Sequence, residues 1–73
     1  MDNARKLELL EEMLDVEPGS LKPETVLEDI EEWDSMAKLS LIVLFDEECG
    51  KKLASAEIKA FRTIGDIMDQ MEA

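Results

Sequence analysis

Hydrophobic positions in this 73-residue chain recur at helical spacing in several places, and a long stretch near the middle holds no period. Residues 2–14 place Leu7, Leu10, Met13 and Leu14 three or four apart, which predicts a first helix with Asp2 or Asn3 as its N-cap. Asp15 to Ser20 closes it with the turn signal Pro18-Gly19. From there to Asp34 the chain is polar, with Pro23 and scattered apolar residues. The expectation is an ordered loop with a helical turn near Pro23 to Leu27, pinned to the helices by Val26, Leu27, Ile30 and Trp33.

Residues 35–49 predict the second and best-defined helix, with Asp34 as N-cap, Ser35 in the first turn and Gly50 at the C′ position. Its apolar residues are too many for one stripe. Leu41, Ile42, Phe45 and Cys49 form a face expected in the core, while Met36, Leu39 and Val43 form another at i, i+3, i+7. A domain this small cannot easily bury both, so the second face is either partial core packing or an exposed surface. After a loop at Lys51 to Ala54, Ser55 is the expected cap of a short helix over 56–60. Thr63 is the expected cap of a last helix over 64–72, with Ile64, Ile67, Met68 and Met71 facing inward. No segment alternates convincingly with period 2. The predicted fold is therefore all-α: a small antiparallel-type bundle of three longer helices plus one short helix, with a long loop between helices 1 and 2, in one domain over 1–73.

Charge changes the picture of partners. With 19 acidic and 8 basic residues the formal net charge is −11, which repels nucleic acid and anionic membranes and favours basic protein surfaces. A hydrophobic content of 45% is too high for a disordered acidic tail. So small a core gives a net stability of roughly 3–5 kcal/mol, which favours a surface site over a large buried cavity. The single cysteine, Cys49, makes no internal disulfide, no apolar leader precedes the first helix, and the longest apolar run, Leu41 to Phe45, is far short of a membrane span. A cytoplasmic monomer is expected.

Several chemistries fail on residue type. The chain has no histidine, so neither Ser35 nor Cys49 has an imidazole base, and zinc sites built from Cys and His are ruled out. Asp46-Glu47-Glu48 does not make an EF-hand loop, because Gly50 falls fifth rather than sixth and lysines follow. The many carboxylates lie on polar faces without the apolar enclosure that would raise a pKa, and there is no glycine-rich phosphate loop. No metal ligands and no catalytic residues are expected. What remains is Ser35, a small hydroxyl residue at the start of a helix behind an acidic cap. Its plainest role is structural, since Asp and Ser are ordinary residues at helix N-termini. Its functional role would be to carry a phosphate ester, stabilised by the helix N–H groups and dipole but opposed by Glu28, Asp29, Glu31, Glu32 and Asp34.

The residues that decide between these roles extend well beyond Ser35. "DSM" is followed by Leu39, Leu41, Ile42, Phe45, Glu48 and Gly50, and the chain closes on "RTIGDIMDQM". This combination resembles the acyl carrier proteins and peptidyl carrier domains, over nearly the whole chain. The resemblance implies a carrier, not an enzyme, whose Ser35 bears covalent 4′-phosphopantetheine from coenzyme A, with Asp34 as part of the attachment motif. It implies that a terminal thiol holds acyl or aminoacyl groups as thioesters. The partners implied are a phosphopantetheinyl transferase, a loading ligase and downstream biosynthetic enzymes, met through Met36, Leu39, Val43, Asp46 and Glu47. Trp33 and Lys38 stand where housekeeping fatty-acid carriers usually have a small and an acidic residue, and Ser40 replaces a frequent glutamate, so a specialised member is expected. Trp33 would cover the loop against the bundle or lie beside the prosthetic arm. The competing reading is an acidic helical adaptor that binds basic proteins unmodified.

Overall fold

Helix α1 spans Asn3–Leu14, and its start is set by Asp2, whose carboxylate accepts a hydrogen bond from the Arg5 N–H at 2.8 Å. In this computed structural model, which describes residues 2–71, α2 follows at Ser35–Leu44, α3 at Ser55–Ala60 and α4 at Ile64–Gln70. The described residues contain no strand, only an isolated antiparallel bridge between Val26 and Thr63. The fold is the expected all-α bundle with three longer helices and one short one. No described helix is long and apolar enough to cross a membrane.

The core is built where the apolar stripes meet. Leu9, Leu10 and Leu14 from α1 are buried with Leu41 from α2, Phe45 and Cys49 just beyond it, and Ile64, Ile67, Met68 and Met71 at the end of the chain. Leu10, Leu41, Phe45, Ile64, Ile67 and Met71 lose all their solvent-exposed area. Two expectations, for Ile42 and Val26, are corrected, and α1 buries a residue outside its predicted apolar spacing. Leu9 lies deeper than Leu7 and Met13, which are only partly buried against the core. Ile42 is half-buried rather than central, because α2 turns Ala37, Leu41 and Phe45 inward and leaves Ile42 on the flank toward α3. Val26 is exposed; its contribution to the loop is made by backbone, not by side chain.

Element boundaries also differ in informative ways. The helical turn in the long loop is a 3₁₀ turn at Leu27–Asp29, which begins where the expected one, Pro23 to Leu27, ends, with Leu27 buried at its start. Beyond Leu44 the second helix widens into a π-turn at Phe45–Cys49, with the Gly50 N–H bonded to the Phe45 carbonyl. Gly50 then ends it in the left-handed conformation, φ 64°, which glycine adopts without penalty. Ser55 is the first residue of α3 rather than its cap; Ala54 holds that place, its carbonyl accepting from the Ile58 N–H at 3.2 Å. Helix α4 ends at Gln70 with Met71 as C-cap, and the expected last residue Glu72 lies outside the described residues.

The long loop is held at both ends. Glu11, a buried carboxylate on α1, accepts hydrogen bonds from the Gly19 N–H at 2.8 Å and the Leu21 N–H at 3.2 Å. Farther along, the loop runs beside the start of α4: Leu27 N–H donates to the Arg62 carbonyl, Ile64 N–H to Thr25 and Gly65 N–H to Pro23, at 2.9, 2.9 and 2.7 Å. Gly65 is required by this approach, since a Cβ there would meet the Pro23 oxygen at 2.9 Å. Helix α4 is closed by a capping box in which the Thr63 hydroxyl accepts from the Asp66 N–H at 3.2 Å. The Asp66 carboxylate in return accepts from the N–H groups of Arg62 at 2.9 Å and Thr63 at 3.1 Å, and these two bonds hold its carboxyl below the ordinary range.

Three substitutions test this junction. Gly65→Ala should cost about 1–3 kcal/mol in urea unfolding, because the added methyl pushes the loop off α4, and an unchanged midpoint would contradict the close approach. Thr63→Ala should cost about 1 kcal/mol. Since the folded-state pKa of Asp66 is lowered, its stabilisation is complete above the ordinary carboxylate value and is lost as pH falls through the folded one. Asp66→Asn should therefore flatten the acid side of the stability profile below about pH 4, read by thermal melts across pH.

Candidate functional site

The site grows from the start of α2. A relay of turns carries the chain there: Ile30 N–H bonds to Leu27 at 3.0 Å, Trp33 N–H to Ile30 at 3.1 Å and Asp34 N–H to Glu32 at 3.0 Å, each to a carbonyl. Asp34 then stops the chain in extended conformation and caps α2, its carboxylate accepting from the Ala37 N–H at 2.9 Å. Ser35 is the first helical residue, exposed, and its hydroxyl makes no hydrogen bond among the described residues. Capping has thus been assigned to Asp34, which leaves the neighbouring hydroxyl unused by the fold. Trp33 is half-buried and packs against the core, with the Lys38 ammonium 6.0 Å from its ring centroid.

Ser35 opens onto an apolar groove of about 320 Å³ between α2 and α3. Ser35, Lys38, Leu39 and Ile42 line one wall, and Ser55, Ile58 and Lys59 the other. A larger concavity of about 570 Å³ lies between the end of α1 and the long loop, lined by Asp15, Glu17, Asp29, Glu31 and Glu32 among others. It is open and acidic and Ser35 does not line it, so size alone does not select the site.

The second apolar face of α2 is exposed. Met36, Leu39 and Val43 retain 69%, 58% and 54% of their area, which decides between core packing and surface in favour of surface. They span about 10 Å along the helix, and exposed Asp46 and Glu47 continue beyond them on the π-turn. The fold therefore brings Ser35, Met36, Leu39, Val43, Asp46 and Glu47 onto one helix and its extension. Sequence reasoning did not find the α3 wall, Ser55, Ile58 and Lys59. Its signal was faint, since a six-residue helix shows too little periodicity to reveal which side faces α2.

Residues 7–71 match the family model described as the phosphopantetheine attachment site. The chain belongs to this family. Among its relatives, the meromycolate extension acyl carrier protein of Mycobacterium leprae is 26% identical over 65 residues, covering 89% of this chain and 56% of the relative. The proteins of the same name from Mycobacterium tuberculosis and Mycolicibacterium smegmatis are each 28% identical over 61 residues, 84% of this chain and 53% and 62% of theirs. The chain thus spans a little over half the length of the curated relatives it matches. No solved structure matches it.

Membership in the phosphopantetheine-attachment family makes 4′-phosphopantetheine the covalent group of this carrier and sets aside the unmodified adaptor. The residues present fit such a group. An exposed hydroxyl with no protein partner among the described residues, at a capped helix start beside an open groove, can take a bulky ester without breaking a contact. Urea unfolding should separate the two faces of α2. Met36→Ala and Val43→Asp should each shift stability by about 0.5 kcal/mol or less, whereas Leu41→Ala should cost about 2–5 kcal/mol. A large loss in the first pair would return Met36 and Val43 to the core.

Proposed function

We propose that residues 1–73 act as one non-catalytic carrier domain that holds acyl or aminoacyl intermediates on a phosphopantetheine arm attached to Ser35 and presents them to biosynthetic enzymes. The observation that carries the assignment of Ser35 is its exposed hydroxyl, left free of the capping role by Asp34. In the loading step the Ser35 Oγ forms a bond to the β-phosphorus of coenzyme A. The bond from that phosphorus to the bridging oxygen breaks, adenosine 3′,5′-bisphosphate leaves, and the Oγ proton passes to a base of the transferase. The attached group supplies a terminal thiol that carries the cargo as a thioester.

The protein's own residues position and recognise. Asp34 fixes the helix start from which the arm departs. Met36, Leu39 and Val43 are the apolar anchors for partner enzymes, and Asp46 and Glu47 meet basic patches on them. Long-range charge speeds the encounter while a few apolar contacts hold it. Tethering raises the effective concentration of cargo at each partner to the order of millimolar. The partners in this reading are a phosphopantetheinyl transferase, a loading ligase and the enzymes that follow. The relatives' name, an acyl carrier in an extension process, supports acyl cargo among the two classes. Trp33, Lys38 and Ser40 support a dedicated pathway over general fatty-acid synthesis.

Incubation with coenzyme A, magnesium and a broad-specificity transferase should add one phosphopantetheine to the intact mass, and Ser35→Ala should abolish the gain. Full loading of Ser35→Ala would place the arm elsewhere. With the loaded protein, Met36→Ala and Val43→Asp should lower turnover by a partner enzyme while helical content is kept; unchanged turnover would remove that face from recognition.

A further inference from the structure

The chain carries only 8 basic residues against 19 acidic ones, yet two lysines border the groove at Ser35. Lys38 lies one turn after Ser35 on α2, and Lys59 comes from the last turn of α3 across the groove. Neither ammonium group is ion-paired among the described residues. Glu28 lines adjoining cavities with Lys59 without pairing with it. The Lys38 ammonium stands 6.0 Å from the centroid of the Trp33 ring, a weak cation–π contact that still leaves its N–H groups open to an anion. Carboxylates dominate the other approach, through Glu31, Glu32 and Asp34 of the loop. The charge around Ser35 is therefore lopsided, negative toward the loop and positive toward the groove.

We propose that Lys38 and Lys59 form a two-sided clamp for the phosphodiester anion at Ser35, drawing the base of the arm over the groove and away from the acidic loop. This deepens the attachment reading and rests on it. Residues three apart on a helix are neighbours, so an anion on the Ser35 oxygen stands within reach of Lys38. Lys59 supplies the opposing charge from a different helix, so the pair fixes a direction that one lysine could not. The two are positioning residues: they bias where the arm leaves the protein and take no part in the chemistry at its end. The interaction is partly exposed and weakens with added salt.

The test uses the phosphopantetheinylated full chain and phosphorus NMR, with Lys38→Gln, Lys59→Gln, the double variant, and Lys22→Gln, which does not line the groove, as a control. Intact mass first confirms loading of each. The transverse relaxation rate of the phosphodiester in the parent should reflect the tumbling of the whole protein, and should fall by about twofold or more in the double variant as the group gains local motion. Lys22→Gln should leave it unchanged, and raising salt on the parent should reproduce the loss without any substitution. Loaded proteins whose phosphorus relaxation is the same in parent and double variant, and insensitive to salt, would overturn the clamp while leaving the attachment intact. No mass gain in the parent with competent transferases would overturn the attachment itself.

Discussion

The fold depends on the backbone hydrogen bonds that lay the long loop against the start of α4. Leu27, Ile64 and Gly65 each donate across that seam, and the bridge between Val26 and Thr63 is its centre. A loop of this length would otherwise carry many buried backbone groups in need of partners. Because the loop is anchored there, burial of Leu27 sets the 3₁₀ turn, the turn sets the relay through Ile30 and Trp33, and the relay delivers Asp34 to the start of α2. The position of Ser35 is thus inherited from contacts made at the far end of the chain. Glu11 does the same for the upstream half, using one buried carboxylate to organise the turn after α1.

Much of this was legible in the sequence, and the parts that were not have a common cause. Periodicity located α1, α2 and α4, and capping chemistry located Asp2, Asp34 and Thr63, because both are local properties. The two faces of α2 were visible as an excess of apolar residues, but only the packing could say that Ile42 sits at their boundary. Val26 was read as a side-chain anchor when its role is a main-chain bridge, which leaves no trace in hydropathy. Ser55 looked like a cap by residue type, yet burial of Leu53 and Ile58 sets the phase of α3 and starts it one residue early. At the site, the motif pointed to Ser35 and its downstream face. The groove required α3 to be placed beside α2, a tertiary fact.

The π-turn gives α2 its division of labour. Phe45 and Cys49 both enter the core, and the three residues between them, Asp46, Glu47 and Glu48, all remain exposed. An unbroken α-helix would have carried the apolar stripe around toward one of these acids. The wider turn lets the core face end cleanly and gathers charge just past the exposed Met36, Leu39 and Val43. One helix and its extension therefore present hydroxyl, apolar ridge and carboxylates in sequence along a single direction.

Cys49 has a consequence of a different kind. In the proposed function the cargo rides on a sulfur at the tip of a flexible arm, and that sulfur must not react with the protein's own. Here the one cysteine of the chain, Cys49, ends the π-turn and is buried in the core. Transfer of cargo onto the polypeptide, or a crosslink between arm and body, would require the core to open first. In the proposed function, the packing that stabilises the bundle would therefore also reserve exchange for the thiol of the arm.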